Sequence, residues 1–175
     1  MDWVAGDKVY FAPTNMQPWH HEYKVIEEYI SATGKLTITE PFEFYHFGED
    51  ASIADDFSGL DMRGEVLLLT RNIQVVGDET NDWGCTIVTS DRVEADRSVR
   101  TGTMILDNVE VYRGGQEDTY KSAIRYEGAT RATTSLIEGS VAWGGNAKPL
   151  IIKTSHNINV KNSAFLGGYQ VGIMI

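Results

Sequence analysis

The sequence predicts an all-β chain wound as a parallel β-helix, and three observations carry that prediction. Short apolar runs alternate with polar or Gly-Gly breaks from Glu65 onward. "DNVEVYRGG" (107–115), "EGSVAWGG" (138–145) and "KNSAFLGG" (161–168) each run from polar through small to apolar residues and into a Gly pair. Each is followed by another apolar strand, in "AIRY", "LIIKT" and "VGIMI", giving an imperfect repeat of about two to three dozen residues, the range of solenoids. Third, apolar parity switches at Asn. Leu106 and Asn108 share one face of the chain and Val109 and Val111 the other, and the same switch separates Val160 from Phe165 across Asn162. A strand that changes parity is bending, and Asn tolerates the left-handed backbone such a bend requires. Stacked turns would align these amides in a ladder, with Asn72 at an equivalent bend. A β-sandwich is the alternative, but its hairpins favour two-residue Asn-Gly or Asp-Gly turns, and the chain has neither.

The leading part reads differently. "HHEYKVIEEYI" and "KLTITEPF" are expected to be two strands joined by the turn at Ala32–Lys35, since Leu36 and Ile38 alternate with Thr37 and Thr39. "GEDASIADDFSGLD" (48–61) reads as an acidic loop. The expected organisation is a single segment over 1–175, with irregular, acidic leading coils over 1–60 and regular coils over 61–175.

Charge narrows the partners. The 175 residues carry a net charge of −10, and residues 1–65 hold thirteen Asp/Glu against four Lys/Arg, while the remainder holds twelve against eleven. Such acidity repels nucleic-acid phosphates and anionic membrane surfaces, so neither is an expected partner. No apolar run is long enough to span a bilayer, and the start has no basic flank or apolar core of a secretion signal. Cys85 is the only cysteine, so it is an idle or packed thiol or half of a bridge to a partner outside these residues.

Several motifs together resemble a known family. "MRGEVLLLTRNIQVVGD" (62–78) is similar to the R-A-E-V-G-L-L-T-R-N-I signature of a family of large extracellular proteins. That family includes fibrocystin, fibrocystin-like protein and the cell-migration-inducing hyaluronan-binding protein. "WVAGDKVYFAPTN" (3–15), "FEFYHFGED" (42–50) and "SHNINVKNSAFLGGYQVGIMI" (155–175) resemble further, looser family segments. The resemblance implies a right-handed β-helix following an eight-glycine domain, forming a fragment of a longer solenoid. It also implies an extracellular or ciliary-surface setting and a structural or adhesive role, in contact with other parts of the same large protein or neighbouring chains. An apolar end at "VGIMI" leads to the expectation that the polypeptide continues past Ile175 or is covered by another chain. In the hyaluronan-degrading members a histidine-containing motif precedes the last coils. "KSAIRYEG" (121–128) puts Arg125 and Tyr126 there instead, which argues against inherited hydrolase activity and leaves a glycan-binding or glycan-degrading module as the alternative reading.

The candidate residues follow from these readings. Arg63 and Glu65 share one face and could clamp a polar ligand, but pairing between coils is the plainer expectation for Arg63, Glu65, Arg71 and Asn72. Trp143, Tyr126 and Arg125 are the candidates for an extracellular glycan, because a sugar ring has an apolar face that stacks on aromatic rings. Trp83, Tyr112 and Tyr169 fall at comparable corners. No cofactor is expected. Asp50, Asp55 and Asp56 are weak candidates for calcium, a hard ion that prefers carboxylate oxygens, in a loop without EF-hand spacing. His20, His21, His46 and His156 have no ligand spacing and are assigned to the surface or to packing.

Overall fold

The structure, a computed structural model, describes residues 3–49, 61–78, 80, 83–131, 133–168 and 171–175. Among these residues it is all-β apart from one 3₁₀ turn at Pro18–His20. The chain divides into two compact units, Met1–Thr70 and Arg71–Ile175.

The first unit is an antiparallel sheet. β1 (Lys8–Phe11) pairs on one side with β2 (Glu22–Ile30), which in turn pairs with β3 (Lys35–Ile38), and on the other with β4 (Val66–Leu68). The β2–β3 pair is the hairpin that the sequence predicts. Its turn closes on the Gly34 amide, which donates to the Ile30 carbonyl at 2.9 Å, with Gly34 in the left-handed region at φ 69°. Val9, Ile26 and Leu69 are its buried apolar side chains. This unit departs from the expected leading coils, because its strands pair antiparallel. The boundary accordingly falls after Thr70, so the stretch 61–78 is a seam: Val66–Leu68 closes the antiparallel sheet and Ile73–Val76 opens the parallel ones.

The second unit comprises three parallel sheets whose members recur in chain order. The first contains β5 (Ile73–Val76), and the second β6 (Ile87–Thr89). A short antiparallel hairpin follows, β7 (Arg92–Val93) with β8 (Val99–Arg100), before the third sheet begins at β9 (Ile105–Asp107). The chain then returns through β10 (Val109–Tyr112), β11 (Ile124–Glu127), β12 (Ser135–Glu138), β13 (Val141–Trp143), β14 (Leu150–Lys153), β15 (Ile158–Lys161), β16 (Ala164–Phe165) and β17 (Ile173–Met174). The sheet orders are β5-β10-β13-β16, β6-β11-β14-β17 and β9-β12-β15, a β-helix-like arrangement. Gln74 lies opposite Glu110, Glu110 opposite Val141 and Val141 opposite Ala164, so successive turns advance by 36, 31 and 23 residues. The longer early turns accommodate the β7–β8 hairpin and the loop at 113–123.

Period-two patterning puts one apolar column on a single face of each sheet, exposed only at its last members, Val160 and Ile173. Val75, Val111, Ala142 and Phe165 stack in the first sheet, and Ile87, Ile124, Leu150 and Ile173 in the second. Leu106, Ile137 and Val160 stack in the third. Val111, Ile124, Ile137 and Leu150 are essentially inaccessible, and each such side chain contributes about 1.5–3 kcal/mol by leaving water.

The corners explain the parity switch. Asp107, Glu138 and Lys161 stand in register, so Asn108, Gly139 and Asn162 occupy one bend, with φ of 52°, 57° and 46°. Asn72 stands one turn before Asn108 in the same register. The expected amide ladder, however, does not form. Asn108 and Asn162 are exposed, Gly139 interrupts the column, and the Asn108 amide donates to Asp107 Oδ1 at 2.7 Å. Backbone conformation makes the bend, and serine fills its inner side. Ser140 Oγ donates to the Glu138 carbonyl at 3.0 Å and accepts the Val109 amide at 3.1 Å. Ser163 repeats this with the Lys161 carbonyl and the Ser140 amide, and Ser155 with the Lys153 carbonyl and the Ala129 amide. The Gly-Gly corners obey packing: a Cβ on Gly145 would lie 2.4 Å from the Gly114 carbonyl oxygen.

Candidate functional site

Two regions of the first unit gather polar chemistry. The larger is a cleft of about 510 Å³ between the end of β1 and the approach to β4, lined by Thr14, Asn15, Met16, Met62, Arg63 and Glu65 among others. A hollow of about 230 Å³ adjoins it, sharing Thr14, Asn15 and Met62 and walled by Tyr45 and Phe47. Arg63 enters this cleft already committed, because its Nε donates to Asp61 Oδ1 at 2.8 Å and its Nη2 to Oδ2 at 2.5 Å. That side-chain bonding holds the exposed Asp61 carboxyl down at about 2. Arg63 thus bonds a near neighbour in sequence, and Glu65 is exposed. The cleft combines apolar side chains with an exposed Asp61–Arg63 ion pair.

Beneath the adjoining loop lies a buried charge cluster that sequence reasoning missed. Alternation along β2 places Glu22, Lys24 and Ile26 on one covered face. The Glu22 carboxylate accepts the amides of Glu43 and Phe44, each at 3.0 Å, and pairs with Lys24 Nζ at 2.8 Å and His46 Nε2 at 3.0 Å. Burial alone would push this carboxyl up, but Lys24, the two amides and His46 together hold it down at about 2. The available signal was the pair of charges at Glu22 and Lys24, standing on the same strand parity as apolar Ile26.

The glycan candidates are turned away from solvent. Tyr126 is 0% exposed inside the second sheet, and burial pushes its phenol up to about 12. Trp143 is 8% exposed, its ring 4.3 Å from that of Tyr112 and its Nε1 donating to Glu110 Oε1 at 2.9 Å. Neither offers a face to a sugar, because each is consumed by packing between turns. Arg125 is half-buried and forms an ion pair with Glu127, which also meets Lys153 Nζ at 3.4 Å. The structure therefore does not unite Trp143, Tyr126 and Arg125 into a binding surface.

Arg71 serves the fold of the second unit. Its Nε donates to the Gly139 carbonyl at 2.6 Å, and its amide to Glu110 Oε2 at 3.3 Å. Gln74 Nε2 completes the shell of the buried Glu110 at 2.7 Å. Cys85 is half-buried against the core, where burial pushes its thiol up. Asp50, Asp55 and Asp56 lie outside the described residues, as does Tyr169. Among the described residues no group of three or more His, Cys, Asp or Glu is placed to hold a metal ion.

In the second unit Trp83 and Tyr120 do reach solvent, near the Gly114–Gly115 corner. Trp83 is 64% and Tyr120 65% exposed, with Lys121 Nζ 5.4 Å from the Trp83 ring centroid and Lys148 Nζ 5.7 Å from that of Tyr120. Among the described residues no helix is long and apolar enough to cross a membrane.

Comparison with known proteins adds one relationship. No protein-family model matches the chain. The chain is similar to Fibrocystin-L of Homo sapiens, at 23% identity over 122 residues covering 67% of this chain. It spans about 3% of that protein's length. This similarity is consistent with a resemblance to the fibrocystin-like family.

Proposed function

We propose that this chain is a non-catalytic structural and adhesive segment of a right-handed parallel β-helix, belonging to a large extracellular or ciliary-surface protein of the fibrocystin type. The observation that carries the reading is the register of the three parallel sheets, in which each interior strand is hydrogen-bonded on both edges by strands from other turns. Such stacking yields a stiff element with long side faces, suited to spacing and contact between molecules. Right-handed winding follows from the strong preference of parallel crossovers for that hand. The similarity to Fibrocystin-L supports the extracellular setting, in which the segment follows an eight-glycine domain and contacts other parts of the same polypeptide or neighbouring chains. Calcium in the 48–61 loop belongs to the same proposal, since extracellular calcium is abundant enough to fill weak carboxylate sites.

Incubation with hyaluronan and related polysaccharides tests the non-catalytic assignment. The expected result is unchanged polymer length. Chain shortening that scales with protein and survives metal removal overturns it.

A second reading, contact with an extracellular glycan, is favoured by the exposed Trp83 and Tyr120 at one corner. Their rings could stack against sugars and the adjacent lysines meet anionic substituents. Titration of Trp83 fluorescence with neutral and acidic oligosaccharides tests it. A saturable change lost in Trp83→Ala supports the reading, and a flat response removes it.

A further inference from the structure

The Glu22–Lys24–His46 cluster has no part in the scaffold role just proposed, yet the loop it holds supplies Tyr45 and Phe47 to the wall of the hollow. The loop 41–47 is folded over β2 by bonds that converge on two side chains. The Pro41 carbonyl accepts Lys24 Nζ at 2.9 Å, while the amides of Glu43 and Phe44 point at Glu22. His46 then bridges the loop to both strands: Nε2 stands 3.0 Å from Glu22 Oε1 and Nδ1 3.0 Å from the Ala12 carbonyl oxygen. One residue later, Phe47 donates its amide to Thr14 Oγ1 at 2.9 Å and accepts the Gly64 amide at 2.8 Å. Tyr45 and Phe47 on either side of His46 wall the hollow that adjoins the cleft.

Both ring nitrogens of His46 therefore face oxygen acceptors. A neutral imidazole has one N–H and one lone pair, whereas the protonated ring has two N–H donors. In either neutral tautomer one lone pair would oppose an oxygen lone pair, either of a carboxylate or of a carbonyl. Glu22 cannot relieve this by supplying a proton, because Lys24 and the two amides already hold it as the carboxylate. The groups facing the ring are Glu22 and Lys24 on β2, the Ala12 carbonyl and Phe11 ring beside β1, and Phe42 from its own loop. The Phe11 and Phe42 rings lie 6.0 Å and 5.1 Å away, and the His46 side chain is only 10% exposed, so water cannot readily replace a lost partner.

We infer that protonated His46 is a latch on loop 41–47, and that loss of its second proton releases the Tyr45–Phe47 wall of the hollow. The release is local: Lys24 still holds Glu22 and Pro41, so the sheet stays folded while the loop gains freedom. The first unit would thus present a closed hollow while His46 is protonated and a looser one once it is neutral.

Amide exchange of the whole chain, corrected for the intrinsic pH dependence, tests this between about pH 5 and about pH 8, where histidine changes charge. Glu43, Phe44 and Phe47 should lose protection by about tenfold across that range, the size expected when a charge-assisted hydrogen bond is lost. The amides of Tyr10 and Val111 should not change. Ring nitrogen NMR should show both His46 nitrogens protonated while the loop is protected, with deprotonation tracking the loss. His46→Gln should abolish the pH dependence. Flat protection of the three loop amides overturns the inference, as does an undiminished pH dependence in His46→Gln. Should that variant fail to fold, the ring NMR and exchange of the unaltered protein decide alone: deprotonation without loop release overturns the latch.

Discussion

Ser140 Oγ stands 3.1 Å from the amide nitrogen of Val109, two residues separated by a full turn of the chain. The same hydroxyl closes its own bend on the Glu138 carbonyl, so one side chain sets both the corner and the spacing between turns. The arrangement recurs at Ser155 and Ser163, each directly after a residue of positive φ.

Ser140→Ala should destabilise the protein by about 1–3 kcal/mol, because the buried Val109 amide loses its acceptor. Ser163→Ala should cost less, since Ser163 is only half-buried. Urea unfolding of the two variants checks the ranking.

Gly145→Ala and Gly128→Ala separate packing from backbone strain. At Gly145 an added methyl meets the Gly114 carbonyl oxygen at 2.4 Å, so turns must move apart, at a cost of about 1–3 kcal/mol or more. At Gly128 the space is open and only the φ of 67° is at issue, at about 1–2 kcal/mol. Thermal unfolding should place Gly145→Ala lower.

Trp143→Phe keeps most of the ring contact with Tyr112 but removes the Nε1 donor from buried Glu110. The expected loss is about 1–3 kcal/mol. Trp143→Ala should lose about 3–5 kcal/mol. Equal losses in denaturant unfolding would place the effect in the hydrogen bond rather than the ring contact.

Acid should weaken the first unit through Glu22. Its folded value of about 2 lies below the ordinary 4.5, so its contribution is complete above 4.5 and fades as the pH falls toward about 2. Glu22→Gln should flatten that acid limb. At neutral pH the variant should be less stable by about 3–5 kcal/mol, because Lys24 is left buried without its counter-ion. Stability against pH for both proteins is the measurement.

Alkali should act on the second unit through Tyr126. Its folded value, about 12, exceeds the ordinary 10, so its neutral form is favoured. That contribution is complete below 10 and lost as the pH rises through 12. Tyr126→Phe should remove this limb while sparing the acid one.

Much of this architecture is legible along the chain because it is local. The β2–β3 hairpin, the bends at Asn108 and Asn162 and the Gly-Gly corners all reside in a few consecutive residues whose backbone preferences are specific. The serine signal was legible too, in Glu-Gly-Ser, Lys-Thr-Ser and Lys-Asn-Ser at 138–140, 153–155 and 161–163. The Asn ladder misread the same corners, because left-handed backbone at the bend leaves the Asn side chains outside.

Strand periodicity, the places where the chain turns and which residues share a face are written along the chain. Which of those faces are covered is set by the fold. Glu110, Val141 and Trp143 are buried although their parity is opposite to the inward column of Val111 and Ala142, and Glu22 is buried among donors from a loop some twenty residues away. Alternation assigns side chains to two sides of a strand, but burial of either side depends on segments distant in sequence. That is why the apparent sugar platform at Trp143 and Tyr126 proved to be interior, and why the charge cluster at His46 emerged only from the fold.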